Sequence, residues 1–263
     1  MLKDVHIHLE RGTYTKDWVT KFVSQAQKKG LDEIYLLEHT HRFREFLPMY
    51  RHLYGTNGYF DSWLDGRGSQ RLSDYLKLAE EMRKESFPVK VRWGLEVCYF
   101  PDWEEFIKRE TQDLPLDFLT GSIHWIDGFG FDHKKELWEG KDTAQEYERY
   151  YELMEELIDS GLFTGLAHPD SIKCFGRESS RDLEETYGRL AGKLKEQGMY
   201  AEQSSGLFNN YGYAYRGMNP QMLAVFQREQ VPIETASDAH CPEGVGKGIW
   251  EMAQKLEKGE LKE

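Results

Sequence analysis

The sequence has few cysteines, no long apolar run and no excess of basic residues. Its three cysteines, Cys98, Cys174 and Cys241, are widely separated and odd in number. This pattern excludes a disulfide framework and favours a reducing compartment. No window approaches the roughly 20 apolar residues of a membrane-spanning helix, and the first residues lack the apolar stretch of a secretion signal. We therefore expect a cytoplasmic protein with no membrane partner.

The chain carries a formal net charge of −12, with 46 acidic residues against 34 Lys and Arg. This balance argues against nucleic acid as the partner. It is compatible with a small anionic substrate, because a bound divalent cation can reverse the local field. Hydrophobic residues make up 39% of the 263 residues, which is enough for a sizeable core. Charge and composition do not determine the oligomeric state.

Apolar patterns of strand and helix type alternate along the chain. Strands are predicted at residues 4–10, 33–38, 89–97, 116–124, 163–168, 199–203 and 233–237. Helices are predicted at residues 15–29, 73–85, 143–160, 181–197, 220–229 and 247–258, with another opening at Asp102. This alternation indicates a mostly parallel sheet with crossover connections, and we expect one domain over residues 1–263. Residues 42–68 and 204–217 are predicted to be loops, the first a functional loop or lid.

The first strand carries two histidines in the stretch Asp-Val-His-Ile-His-Leu-Glu. Because side chains alternate across a strand, His6 and His8 point to one side and the apolar residues between and beside them to the other. Two such histidines alone could equally be ordinary core or surface residues. The rest of the sequence has to decide between that interpretation and a cation site.

Potential metal ligands follow nearly every predicted strand. They are His6, His8, His39, His41, Glu96, His124, His168, Asp238 and His240. Residues at the carboxyl ends of the strands of a (β/α) barrel converge on one site. Imidazole and carboxylate groups suit Zn, Mn and Fe, and a carboxylate can bridge two ions. One such histidine is most often a core residue, but the whole set predicts a multinuclear metal site.

The ordered motifs DVHIH, EH, GLE, SIH, AHPD and SDAH resemble the polymerase and histidinol phosphatase (PHP) superfamily of metal-dependent phosphoesterases, from Asp4 to about Gly246. The resemblance implies a distorted seven-stranded (β/α) barrel. Within the superfamily the chain is most similar to the histidinol-phosphate phosphatases. That similarity rests on the stretches HLERGTYT, EHTHRF, GSIHWIDGFGFD, HPDSIKCFG, AEQSSG and GMNP, followed by TASDAH.

The resemblance also implies a ligand set for two or three divalent ions, Zn, Mn or Fe. One ion would be held by His6, His8, Glu96 and Asp238, and Glu96 would bridge to a second ion held by His124 and His168. His39 and His240 would belong to a third. The family often has another histidine where this chain has Tyr14. The missing ligand could be Tyr14, Glu10, His41 or a water, or the third ion could bind weakly or not at all.

The implied activity is that of a phosphoric monoester hydrolase. It would convert L-histidinol phosphate to L-histidinol and phosphate, a step of histidine biosynthesis, by attack of a metal-bridging hydroxide. Bound cations bring the pKa of such a water towards neutrality, and phosphoryl transfer needs no protein nucleophile. The residues expected to carry the chemistry are His6, His8, Glu96, Asp238 and His240. The alternatives are a related phosphoesterase acting on a nucleotide or sugar phosphate, and a non-catalytic metal-binding module.

Three further residues are candidates for binding the substrate. Arg42 and Lys173 follow ligand-bearing strands and could contact the phosphate, although both residue types are commonly solvated surface. The resemblance suggests that Glu202 grips the amino group of an amino alcohol, and a plain surface glutamate fits the sequence as well. Gln203 stands where the subgroup is expected to have Asn, and the arginine expected near Asn210 is absent.

Overall fold

The computed structural model describes residues 1–258 and contains one parallel sheet of seven strands in sequential order. The strands are β1 (Lys3–His8), β2 (Glu33–Leu37), β3 (Lys90–Cys98), β4 (Phe118–Ser122), β5 (Gly165–Leu166), β6 (Tyr200–Ser204) and β7 (Ile233–Ala236). Every neighbouring pair is parallel. All strands therefore end at the same face of the molecule.

Helices connect successive strands and cover the outside of the sheet. They are α1 (Lys16–Lys28), α2 (Gly58–Asp65), α3 (Leu72–Met82), α4 (Glu104–Thr111), α5 (Thr143–Asp159), α6 (Glu184–Gln197), α7 (Gly206–Tyr211), α8 (Pro220–Arg228) and α9 (Ile249–Lys258). Short 3₁₀ helices lie between them. No helix within residues 1–258 is long and apolar enough to cross a membrane.

The helix boundaries follow from local chemistry, as α1 shows. The Thr15 side chain accepts a hydrogen bond from the Trp18 amide at the amino end of α1, which satisfies one free donor of the first turn. Val19, Phe22, Val23 and Ala26 form its buried stripe. The chain leaves the helix through Gly30, at φ +70°. The Glu33–Leu37 strand that follows is buried at every position, as expected of a parallel strand covered on both faces.

The sheet curves until β1 meets β7, so the barrel is nearly closed. One isolated bridge joins Ile7 to Ala239, and the His8 amide donates to the Ala239 carbonyl at 2.7 Å. The Asp4 carboxylate accepts hydrogen bonds from the amides of Ser237 and Gly246, at 2.8 and 2.9 Å. The seam therefore depends on side chains as well as on backbone pairing. The expected seven-stranded (β/α) barrel is confirmed.

The two predicted loops contain helices. Residues 42–68 include a 3₁₀ helix, Arg44–Leu53, and α2, while residues 204–217 include α7. The 3₁₀ helix buries Phe46, Met49, Tyr50 and Leu53, which stand at i, i+3, i+4 and i+7, a helical spacing that the prediction of a loop overlooked. The helices expected from residues 181 and 247 begin at Glu184 and Ile249. The single domain over residues 1–263 stays a prediction, and residues 259–263 lie outside the described part.

Candidate metal centre

The ends of β1, β3 and β7 bring one set of possible ligands together. His6 and His8 are fully buried, and their Nε2 atoms lie 2.9 Å apart. The Glu96 Oε2 atom lies 3.3 Å from His6 Nε2 and 3.4 Å from His8 Nε2. Asp238 Oδ1 is 3.7 Å from both nitrogens. These four side chains converge on one point.

Glu96 also faces two neighbouring groups. Its Oε1 atom lies 2.9 Å from His124 Nε2 and 3.2 Å from His168 Nε2. Its Oε2 atom lies 2.8 Å from His39 Nδ1. One buried carboxylate thus stands between several imidazoles, which is the arrangement needed for a bridging ligand.

A third group of possible ligands lies at the open side of this cluster. His8, His39 and His240 offer nitrogens within 4.8 Å of one another, and the His8 ring stacks on the His240 ring at 4.6 Å between centroids. The His240 Nδ1 atom lies 2.7 Å from Glu10 Oε1, and His240 Nε2 lies 3.3 Å from Asp238 Oδ1. Of the residues that could supply the missing ligand of the third ion, Glu10 therefore lies nearest this group.

Tyr14 points away from the cluster. Its ring packs against Tyr75 and Phe43, with centroids 5.6 and 6.5 Å apart, and it does not line the cavity described below. His41 does line that cavity, and its ring stacks on His39 at 4.7 Å. Tyr14 is therefore poorly placed to act as a ligand of the third group.

The donor set suits divalent metal ions. Four overlapping groups of possible ligands share atoms within 4.8 Å of one another, and together they contain His6, His8, His39, Glu96, His124, His168, Asp238 and His240. These are the eight residues expected from the sequence. The Glu96 Oε2 atom is buried and makes no hydrogen bond, although three imidazole nitrogens surround it. A cation between these atoms would satisfy them, and the nitrogen and oxygen donors fit Zn, Mn or Fe.

Two of these ligands have unusual backbone conformations. His168 and Asp238 have φ values of 27° and 53°, a region that costs a non-glycine residue about 1–3 kcal/mol. The strand-end turn aims both side chains at the cluster. Gly206 makes room for one of them, since a Cβ there would lie 2.2 Å from Asp238 Oδ2.

Carboxylates behind the histidines fix their orientation. Both Glu202 oxygens lie 3.0 Å from His6 Nδ1, and Asp132 Oδ2 lies 2.6 Å from His124 Nδ1. Burial lowers the pKa of His6, but the charges of Glu202 and Glu96 raise it well above its usual range. Carboxylates that hold the far nitrogen of a ligating histidine fix its tautomer and strengthen metal binding.

This placement corrects the role expected for Glu202. Its side chain is 0% exposed, is directed at His6 and also accepts a hydrogen bond from the His168 amide at 3.2 Å. It does not line the cavity, so it does not face a substrate amino group. Sequence reasoning missed Asp132, although that residue lies eight positions after His124 in the quoted stretch GSIHWIDGFGFD.

The two residues expected to bind phosphate are also engaged elsewhere. Arg42 Nε lies 2.9 Å from Glu38 Oε2, and another guanidinium nitrogen donates to the Glu10 carbonyl at 3.1 Å. Lys173 is 3% exposed, and its ammonium pairs with Asp170 at 2.5 Å and with the Gly217 carbonyl at 2.8 Å. Neither residue lines the cavity, because each charge is used inside the fold.

A cavity of about 700 Å³ opens onto the cluster. Aromatic rings form part of its wall, with Trp63 and Trp125 lying 5.1 and 4.7 Å from the His133 ring and Tyr59 at 5.8 Å. Its positively charged lining residues are Arg11, Arg67 and Lys247. None of these residues was singled out in the sequence as a substrate contact, since no local pattern marks them.

Comparison with known proteins identifies the family. The model of the PHP domain matches residues 4–205, most of the chain. The chain belongs to the PHP domain family. A curated relative, "Probable histidinol-phosphatase" of Deinococcus radiodurans, is 26% identical over 93% of this chain and 88% of its own length. Another of the same name, from Schizosaccharomyces pombe, is 21% identical over 85% of this chain and 75% of its own length.

A solved structure of the family shares the fold of this chain. It is histidinol phosphate phosphatase from Lactococcus lactis complexed with zinc, L-histidinol and phosphate. The TM-score is 0.70 at 18% identity, and the match covers 98% of this chain and 93% of that protein. At this identity the likeness establishes the PHP fold, which agrees with the barrel described above.

Proposed function

We propose that this protein is a metal-dependent phosphomonoesterase that hydrolyses L-histidinol phosphate to L-histidinol and phosphate. The observation that carries the proposal is the set of eight potential ligands grouped around Glu96 beside a cavity of about 700 Å³. The names of the curated relatives and the contents of the Lactococcus structure support the substrate. The product alcohol would serve histidine biosynthesis.

The residues divide into a buried and an open side. His6, His8 and Glu96 side chains are 0% exposed, whereas Asp238, His240, His39 and His124 are 16–20% exposed. We infer that the buried side holds the ions and that phosphate approaches from the open side. Bound ions would supply an activated water and would neutralise phosphate oxygens. We propose two or three ions, with zinc favoured over manganese and iron.

The chain's own carboxylates keep the imidazoles aligned. Glu202 holds His6, Asp132 holds His124, and Glu10 lies against His240. A phosphoryl transfer that depends on positioning and charge loses rate when ligands move by an ångström. Glu202 and Asp132 therefore act as positioning residues, whereas Glu10 lines the cavity and is the candidate for the missing ligand of the third group.

The aromatic wall favours a flat leaving group. Trp63, Trp125 and His133 lie within stacking range of one another at the cavity surface. The imidazole of histidinol is a small flat ring that such a wall can hold, since aromatic pairs gain about 0.5–1.5 kcal/mol beyond area burial. A sugar phosphate offers no such ring.

Steady-state kinetics of the metal-loaded protein test the proposal. Histidinol phosphate should be hydrolysed with a higher kcat/KM than nucleoside monophosphates, sugar phosphates or p-nitrophenyl phosphate. Faster turnover of another ester would refute the named substrate. Elemental analysis of the same preparation should find two or three metal equivalents per chain, and fewer than two would contradict the multinuclear centre.

A further inference from the structure

Arg67 is held beside the end of β2 by its backbone. Its amide donates to the Leu64 carbonyl at 2.8 Å, and the next amide, of Gly68, donates to the His41 carbonyl at 3.0 Å. Gly68 has φ +65°, and a Cβ there would lie 2.2 Å from Leu47 Cδ1. The turn after α2 therefore fixes where the Arg67 side chain begins.

The Arg67 guanidinium lies over an aromatic ring and has no acidic partner. Its Cζ lies 4.3 Å from the centroid of the Trp63 ring. Its Nε atom is buried without a hydrogen-bond partner. Throughout residues 1–258, no carboxylate oxygen lies within 4.0 Å of this guanidinium. Burial lowers the pKa of Arg67 from its usual value, partly offset by the charge of Glu10, and the group stays charged at neutral pH.

Among the described residues, Arg67 and Arg177 are partly buried arginines with no carboxylate oxygen within 4.0 Å, and of the two only Arg67 lines the cavity. Arg42, by comparison, lies against Glu38 and Glu10, and Lys173 against Asp170. A half-buried guanidinium retains its desolvation cost unless an anion binds it. Because Arg67 lines the cavity, an anionic group of a ligand bound there is within its reach.

Arg67 lines the same cavity as the metal centre, and two rings lie between them. The Trp63 ring is 4.9 Å from the His41 ring, which is 4.7 Å from His39. His39 in turn faces Glu96 at 2.8 Å. Arg11 and Lys247 also line the cavity, but both are exposed and lack such a platform.

We propose that Arg67 binds the phosphate group of the substrate, with its guanidinium oriented by Trp63. A guanidinium stacked on a ring keeps its N–H edge free to contact two phosphate oxygens at once. The proposal deepens the function proposed above and needs only that the ligand be a phosphate monoester. It replaces the roles expected from sequence for Arg42 and Lys173.

This assignment is tested by titrating the zinc-loaded protein with inorganic phosphate and measuring the heat of binding by calorimetry. The variants are Arg67→Met, which keeps much of the stem, and Arg67→Lys, which keeps the charge but loses the fork. Arg51→Met is the matched control, because Arg51 is exposed on the same segment and does not line the cavity. Near-UV circular dichroism and zinc content are measured for every variant.

Arg67→Met should weaken phosphate binding by about 10- to 100-fold, the range expected for a lost charge-assisted contact. KM for histidinol phosphate and for p-nitrophenyl phosphate should rise by a similar factor, with kcat changed much less. The phosphate affinity of Arg67→Lys should lie between those of Arg67→Met and the parent protein. If Arg67→Met does not fold, Arg67→Lys provides the test. Arg51→Met should bind phosphate like the parent protein.

Unchanged phosphate affinity in both Arg67 variants would overturn the assignment. A loss of zinc that matches the loss of phosphate binding would also overturn it, because the arginine would then act through the metal centre. If another ester proves to be the preferred substrate, the histidinol phosphate proposal fails, whereas the phosphate titration still decides the role of Arg67.

Discussion

Two histidines of the centre, His6 and His124, have different partners at their two nitrogens. In His6 and His124, one nitrogen faces the shared carboxylate Glu96 and the other faces a carboxylate behind the ring. The rear partners Glu202 and Asp132 are acidic side chains, not backbone carbonyls. A substitution behind the ring should therefore change metal binding without removing any ligand.

Glu202→Gln should weaken zinc binding by roughly 10- to 100-fold, because an amide orients His6 Nδ1 less strongly than a carboxylate. Equilibrium dialysis against a competing chelator measures the change. Glu234→Gln is the control, since Glu234 lies opposite Glu202 on the neighbouring strand but pairs with Lys3. Equal zinc affinity in the Glu202→Gln variant and the parent would contradict the positioning role.

Lys173→Met should destabilise the protein by about 3–5 kcal/mol, because it leaves the buried Asp170 carboxylate without its cation. Urea unfolding measures the loss. Lys193→Met serves as the comparison and should cost about 1 kcal/mol or less, since the Lys193 and Asp159 side chains are 27% and 55% exposed. A raised KM with unchanged stability in Lys173→Met would restore the phosphate role expected from the sequence.

Among the elements, the segment between β2 and α3 differs most from expectation. A 3₁₀ helix and α2 replace the predicted loop, and the second of them carries Trp63 into the cavity wall. The segment is tied to the residues just after β2 by hydrogen bonds from the Gly68 amide to the His41 carbonyl and from the Gln70 amide to the Arg42 carbonyl. The turn at Gly68 is therefore one of the contacts that set its position relative to the metal centre.

Gly68→Ala should lower the free energy of unfolding by about 1–3 kcal/mol, through a strained positive φ and overlap with Leu47. It should also raise KM, because the turn carries Arg67. Gly66→Ala is a close control, since Gly66 has φ −86° and an added Cβ would meet only the Trp63 carbonyl at 3.6 Å. Comparable stability of the two variants in urea would show that the turn is not constrained.

The strands and the cluster at their ends could be predicted from the sequence, whereas the directions of single charged side chains could not. Strand ends converge in any parallel barrel, so His6, Glu96 and Asp238 needed only the right strand assignment. Arg42 and Lys173 have partners four and three residues earlier, Glu38 and Asp170. The local turn of the chain decides whether the basic side chain pairs with the nearby carboxylate or points into the cavity. The residue pattern does not show which of the two directions the side chain takes.

For the whole molecule, the critical region is the seam between β1 and β7. An isolated bridge joins Ile7 of β1 to Ala239, just after β7, and the Asp4 carboxylate accepts two further hydrogen bonds from the amides of Ser237 and Gly246. The same two strands lead to His6, His8 and Asp238. Opening the seam would separate His6 and His8 from Asp238, and these three residues belong to one group of possible ligands.

Asp4→Asn should destabilise the protein by about 1–3 kcal/mol, because the amide group of asparagine cannot accept from both backbone donors. It should also weaken zinc binding through the seam. Asp32→Asn is the control, since Asp32 is exposed and accepts from the Leu2 amide near the start of β1. Urea unfolding and zinc titration check both effects, and a stable Asp4→Asn variant would show that the other contacts of the seam close the barrel without the Asp4 carboxylate.

The seam also has a consequence for biosynthesis. Residues that meet there are more than 230 positions apart, as Asp4 and Ser237 show, so β1 cannot complete its pairing until the last strand has left the ribosome. Helices and inner strands can pack earlier, since their contacts are local. The nascent chain therefore lacks Asp238 and His240, two of the eight possible ligands, until β7 and the residues just after it have been synthesised.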